Sequence, residues 1–145
     1  MKKIVYLLSI IAIVIFASCE REASIIESPD NVNVNGIWDV TAYIDTMAIS
    51  TSFTLQTLVS TSQNGSDSIV ISDSKDEFWS FKVKAALKKD GTFETELSRC
   101  ESRPENIGII VSNGKIINKS IYFEIQFEDD VTPFHNVYKL KGERN

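Results

Sequence analysis

The chain from Asn35 onward consists of short segments in which apolar and polar residues alternate with a period of two, and this alternation restricts the possible fold most. The clearest segments are residues 79–87 and 121–128. Because successive side chains of a strand point to opposite faces, each segment predicts a half-buried strand. Weaker segments predict further strands at residues 38–44, 53–59, 69–71, 93–97, 107–111 with 116–117, and 134–142.

Turn residues separate these segments. Asp90-Gly91 and Asn113-Gly114 supply the positive φ angles of tight hairpins, and Glu128-Asp129-Asp130 is typical of a solvated turn. No stretch after Asn35 keeps a helical period for long. About eight strands joined by hairpins predict an all-β, antiparallel, up-and-down barrel, since closure removes the exposed strand edges.

The N-terminus has a different character. Two lysines precede an apolar run at residues 4–16, which ends in Ala17-Ser18-Cys19. The arrangement resembles the export signal and lipobox of a bacterial lipoprotein. A spanning helix needs about 20 apolar residues, so the run is short for a membrane anchor. An uncleaved anchor and an ordinary secretory signal with an incidental cysteine are the alternatives.

The lipobox resemblance implies cleavage before Cys19, a diacylglycerol on its sulfur and an acyl chain on its new amine; no other cofactor is expected. It divides the chain into a signal peptide (1–18), a lipidated cysteine with a flexible tether (19–34) and a barrel domain (35–145). The expected location is the cell envelope, lipid-anchored at the outer membrane, with the periplasmic side and the cell surface both open.

The charge of the mature chain restricts its partners. Removal of residues 1–18 leaves 13 basic and 20 acidic residues, a formal net charge of −7. An acidic protein is a poor ligand for nucleic acid or for anionic lipid surfaces. The membrane is therefore expected to be contacted through the acyl chains, and nucleic acid is not expected as a partner.

Three longer motifs occur together: Asn35-Gly36-Ile37-Trp38, residues 77–84, and residues 120–130 leading to 135–142. Their order and spacing resemble the lipocalin-like (calycin-like) lipoproteins of Bacteroidetes described as lipid-binding putative hydrolases. The resemblance implies that Trp38, after Gly36, plugs the closed end of the barrel and that a late arginine packs over its ring. Arg144 is the candidate, since counting by twos from Tyr138 places it on the apolar face. The alternative is that Arg144 frays with the C-terminus.

Catalytic and metal-binding patterns are weak. His135 is the single histidine and is predicted on the outer face of the last strand, so a transition-metal site has too few ligands. After loss of Cys19, Cys100 is left as an unpaired thiol. The sequence contains no Gly-x-Ser-x-Gly nucleophile elbow. We therefore predict that the protein is not an enzyme and has no metal site.

Aromatic residues dominate the predicted inner faces. A barrel of eight strands is either filled by side chains or holds one small ligand, and the sequence leaves both open. The first hypothesis is binding of a lipid or another small apolar ligand. The second is a non-catalytic module that docks on an envelope protein or uptake complex, and a hydrolase is the third. The candidate interior residues are Trp38, Phe53, Trp79, Phe81, Phe93, Phe123, Phe127 and Tyr138.

Overall fold

The computed structural model describes residues 32–61, 67–99 and 106–145, and it shows one antiparallel sheet in which strands adjacent in the chain are largely adjacent in space. The last strand also pairs with the first, from Trp38↔Arg144 to Ile44↔Tyr138. This closure confirms the predicted all-β, up-and-down barrel. The strands are β1 Gly36–Ile44, β2 Met47–Ala48, β3 Phe53–Thr61, β4 Asp67–Ser72, β5 Lys82–Leu87, β6 Thr92–Arg99, β7 Gly108–Ile117, β8 Ser120–Phe127 and β9 Tyr138–Arg144.

Eight of these strands form the ring. The two-residue β2 lies outside the ring and pairs with the end of β1. Strand β8 shows why the ring has an apolar interior, because Ile121 and Phe123 are buried whereas Tyr122 and Glu124 are partly exposed. Each fully buried large apolar side chain contributes about 1.5–3 kcal/mol to folding. The largest of them are Trp38, Phe81, Phe93, Phe123 and Phe127.

The two ends of the barrel differ. The closed end holds the start of β1, the end of β9 and the short connections β5–β6 and β7–β8. The loop end holds the longer connections at residues 45–52, 73–81 and 128–137. Side chains close both ends of the barrel. Strands supply them at the closed end, and a loop supplies them at the loop end.

The prediction that Trp79 lies in a strand is wrong, because β5 begins only at Lys82. The buried carboxylate of Asp73 accepts hydrogen bonds from four backbone N–H groups, those of residues 77–80. Ser80 then takes a positive φ of 51°. These N–H groups bond a nearby side chain instead of a neighbouring strand, so residues 73–81 form a compact loop.

The Asn113-Gly114 pair is not a hairpin turn. β7 runs through it without interruption, and the register with β8 shifts between Ser112 and Lys115, as in a β-bulge. A Cβ on Gly114 would lie 2.4 Å from the ring of Phe93 on the facing strand, so the position needs glycine. The chain reverses further on, where Asn118 has a φ of 53°.

The last strand begins at Tyr138 and not at Phe134 as predicted. Phe134 has a positive φ of 54°, and its N–H donates to the carbonyl of Phe127 at 2.9 Å. His135 therefore lies in a turn before β9, where it is exposed. Its predicted solvent-facing position holds, although it is not on a strand.

The signal peptide, Cys19, Cys100 and all but the end of the tether lie outside the described residues. Within the three described ranges, no helix is long and apolar enough to cross a membrane.

Candidate ligand-binding interior

Trp38 forms the floor of the interior at the closed end. Its ring is fully buried, and its indole Nε1 donates a hydrogen bond to the hydroxyl oxygen of Thr57 at 2.8 Å. The Thr57 hydroxyl donates in turn to the carbonyl of Val34. Because a buried N–H without a partner is costly, this chain of bonds ties the floor to β3 and to the segment before β1.

Arg144 covers the floor from outside. Its guanidinium carbon lies 4.6 Å from the centre of the Trp38 ring, and its nitrogens donate to the carbonyls of Asn35 and Asn33. A Cβ on Gly36 would come within 3.3 Å of that guanidinium carbon, so a glycine leaves room for it. The structure thus places Arg144 in the ordered position over Trp38 and not in a frayed terminus.

The loop end is filled by a cluster of aromatic rings. Trp79 stacks on Phe127 with centroids 4.5 Å apart and planes 5° apart, and Phe78 stacks on Phe53 at 5.2 Å. Both loop rings also contact Tyr138. We call Phe78 and Trp79 the aromatic plug, since a loop and not a strand carries them into the barrel mouth.

Acidic residues hold the plug in place. In addition to the Asp73 bonds, the indole Nε1 of Trp79 donates to the carboxylate of Asp129 at 3.0 Å, although Trp79 itself is only partly buried. The carboxylate of Glu77 accepts the N–H of Thr54 at 2.8 Å on β3. The plug loop is thus bonded within itself, to β3 and to the β8–β9 connection.

The neighbouring acidic residues of the β8–β9 connection do not converge on a common point. Glu128 binds Arg99 and the N–H of Gly108, whereas Asp130 accepts the Tyr138 hydroxyl at 2.8 Å. Across the described parts of the chain, no group of three His, Cys, Asp or Glu side chains could hold a metal ion. In this geometry, the carboxylates of Glu128 and Asp130 bond neighbouring backbone and side-chain groups of the barrel.

The Asp130–Tyr138 pair shifts the titration of both groups. Burial, followed by the hydrogen bond to Asp130, raises the pKa of Tyr138 to about 12. Burial acts to raise the pKa of Asp130, but the bonds donated by Tyr138 and Asn136 outweigh it and the pKa lies below its ordinary value. The hydrogen bond is thus present across the neutral pH range.

The predicted aromatic residues converge on the interior, with Trp79 at its partly exposed mouth. The sequence analysis missed Phe78, because a strand through Trp79 would turn it outward. The polar run Asp73-Ser74-Lys75-Asp76 was the signal for a loop that could have found it. The fully or nearly buried members are Trp38, Phe53, Phe81, Phe93, Phe123, Phe127 and Tyr138.

A closed ring of eight antiparallel strands around an apolar interior, with an arginine over a tryptophan at one end, is consistent with the lipocalin-like class of barrel proteins. The chain belongs to the family described as lipid-binding putative hydrolase, whose family model matches residues 26–145. The match spans the whole barrel and confirms the lipid-binding putative hydrolase family that the three motifs indicated. A comparison with curated proteins finds no match.

Proposed function

We propose that this protein is a non-enzymatic, lipid-anchored lipoprotein of the cell envelope whose barrel binds a lipid or another small apolar ligand. Family membership and the apolar barrel support lipid binding. The observation that carries the proposal is the aromatic plug: Phe78 and Trp79 close the loop end from a loop, where a ligand can replace them without breaking the strand ladder.

The energies allow such a replacement. The plug makes five ring contacts with Phe53, Phe127 and Tyr138. At about 0.5–1.5 kcal/mol each, beyond the burial of the rings themselves, these contacts stabilise the closed mouth by roughly 2.5–7.5 kcal/mol. An acyl chain gains about 0.8 kcal/mol for each buried CH₂, so ten buried carbons contribute about 8 kcal/mol. A lipid chain can therefore offset the loss of these ring contacts, whereas a small polar solute cannot.

The two tryptophans allow a direct test with the fluorescent fatty acid cis-parinaric acid. Trp38→Phe retains only the mouth tryptophan, and Trp79→Phe retains only the sealed one. We expect the emission of Trp79 to change strongly on addition of the fatty acid and that of Trp38 to change little. Absence of any binding, together with an empty barrel in native mass spectrometry of protein from its own envelope, would refute lipid binding.

The direction of the chain is compatible with an anchor at Cys19. Arg144 holds the carbonyls of Asn33 and Asn35, so the described end of the tether lies at the closed end of the barrel, opposite the loop end. We expect Cys19→Ala to release a folded, soluble barrel in cell fractionation and to abolish palmitate labelling. Retention of this variant in the membrane fraction would contradict the anchor. Protease treatment of whole cells distinguishes the cell surface from the periplasm.

A docking module is the second candidate, and exposed apolar side chains at the loop end favour it. Val131, on the β8–β9 connection, is 99% exposed. Met47, on the short strand β2, is 67% exposed. Crosslinking in intact cells should then recover one specific envelope protein, and Val131→Ser should weaken that capture. An esterase panel tests the non-enzymatic part of the proposal, since turnover would refute it.

A further inference from the structure

The barrel wall is least complete between β5 and β6. Within residues 67–99, which the structure describes without a break, these strands pair only at Ala86↔Glu94 and Leu87↔Phe93, next to their connecting turn. By contrast, β4 and β5 pair over five successive positions. The β5–β6 ladder thus ends at Ala86. We call the gap between residues 82–85 and 95–99 the seam.

The seam has a local cause in β6. Its register with β7 shifts between Phe93 and Thr95 and again between Thr95 and Ser98. Bulges bend a strand and increase its twist. The two shifts follow directly after the last β5–β6 pair at Glu94, so the end of this ladder coincides with the irregular part of β6.

A cleft of about 630 Å³ opens on the outer surface next to the seam, lined by Ala86, residues 94–97 and residues 111–112. Val111 has no exposed surface, so this buried residue closes the floor of the cleft. The cleft therefore leads from the outer surface to the edge of the core. Its size falls in the range of about 300–1,000 Å³ that holds small molecules.

The inner surface beside the seam carries small side chains. Val83 and Ala85 on β5 and Val111 on β7 are buried there, and the larger Phe81 is buried two residues before Val83. An unbranched chain between the two strands would lie against these small residues. Its other end would remain at the surface, in water.

The rim argues against a protein strand as the occupant. Lys84 is exposed on the β5 side, and Glu94 and Glu96 are exposed on the β6 side. Charged side chains along an open edge disfavour the addition of another strand. They do not disfavour an amphiphile, whose headgroup stays in water between them while its tail is buried.

We propose that the seam is the lateral entry and seat of an acyl chain, with its headgroup at the charged rim. This inference rests on the proposed lipid-binding function and adds its route. Trp38 with Arg144 seals one end of the barrel and the aromatic plug fills the other, so the seam offers an approach through the wall, from which the acyl chain displaces the plug from within. A chain seated there reaches the core beneath the plug.

A disulfide across the seam tests the route. If the ladder continued from Ala86↔Glu94, Lys84 would face Glu96. Lys84→Cys with Glu96→Cys, in a Cys100→Ser background, should therefore close the gap on oxidation, provided that the two strands can approach. The matched control is Ser120→Cys with Glu143→Cys, two facing residues of the intact β8–β9 ladder.

The readout is the association rate of cis-parinaric acid with the full-length mature chain. We expect oxidation to slow association at least about tenfold in the seam variant, because binding would then require a conformational change. The control pair should bind equally fast in both redox states. If the oxidised seam variant binds as fast as the reduced one, the lateral route is wrong and lipid binding itself stands.

A second variant covers the case in which thiol titration shows that the disulfide does not form. Ala86 lines the cleft and is exposed, so Ala86→Trp places an indole in the cleft without disturbing the core. Ala48→Trp, on the exposed strand β2, is its control. Slower association only for Ala86→Trp supports the seam, and equal rates overturn it. If the unmodified protein binds no fatty acid, the proposed function fails, and the inference fails with it.

Discussion

Replacement of Arg144 with alanine should destabilise the barrel through the loss of its closure. The guanidinium carbon of Arg144 lies 4.6 Å from the Trp38 ring centre, and its nitrogens bind the carbonyls of Asn33 and Asn35. One further atom, the buried Nε, has no hydrogen-bond partner. The variant therefore loses three favourable interactions, the ring contact and two hydrogen bonds, and also removes one unfavourable feature.

These contributions can be combined into one expected change. A cation over a fully buried tryptophan contributes about 1–2 kcal/mol. The two bonds to carbonyl oxygens contribute about 1–3 kcal/mol, and relief of the unpaired Nε offsets about 1 kcal/mol. The free energy of unfolding should fall by about 2 kcal/mol. For a domain of roughly 110 residues, this corresponds to a decrease in Tm of about 8 °C.

Differential scanning calorimetry measures this decrease, and Lys141→Ala is the matched control. Lys141 is a cation on the same strand that lies 5.5 Å from the Tyr43 ring centre, but it is exposed. Exposed cation–aromatic pairs contribute only about 0.5–1 kcal/mol. In a Trp79→Phe background, Arg144→Ala should also shift the emission of Trp38 to the red. A Tm loss for Arg144→Ala no larger than that for Lys141→Ala would refute the closure.

Three further predictions concern the floor, the plug and the mouth. Thr57→Val leaves the Trp38 indole N–H buried without its acceptor and should cost about 1–3 kcal/mol in urea denaturation, whereas Thr57→Ser should cost much less. Asp73→Ala frees four backbone N–H groups and should make the plug loop sensitive to limited proteolysis, while an unchanged cleavage rate would contradict its role. The raised pKa of Tyr138, about 12 beside Asp130, means that its stabilising effect is complete below pH 10 and is lost as the pH rises toward 12. Tyr138→Phe, which cannot ionise, should therefore lose less stability over that interval in urea denaturation, and identical pH dependence would argue against the pair.

Local sequence patterns predicted the strands well where alternation was strict, as in β8, because one side of each strand is buried. These patterns failed where the same local conformation fits two different backbone structures. Asn113-Gly114 supplies a positive φ that suits both a hairpin and a bulge, and Phe93 on the facing strand selects the bulge. Trp79 fits the alternating pattern of the strand that follows it. Its backbone N–H, however, donates to the carboxylate of Asp73 and not to a neighbouring strand.

Some residues of the candidate site could likewise be predicted from local patterns, and others could not. Strand phase places Phe123 and Phe127 inside, and strand phase with the family motif places Arg144 over Trp38. Phe78 could not be found by phase, because it reaches the interior from a loop. The seam was equally hidden, since it results from the register of β6 against β7 and not from any residue pattern in β5.

The sequence alone determined the class of fold, because alternation along each strand is a local consequence of burying one face of a sheet, and it indicated the aromatic character of the interior. Only the tertiary structure decided how the barrel is closed. The bond from Arg144 to Asn35 joins residues 109 positions apart, and that from Trp79 to Asp129 joins residues 50 positions apart. Such contacts depend on strand register and on loop geometry, which no local pattern encodes.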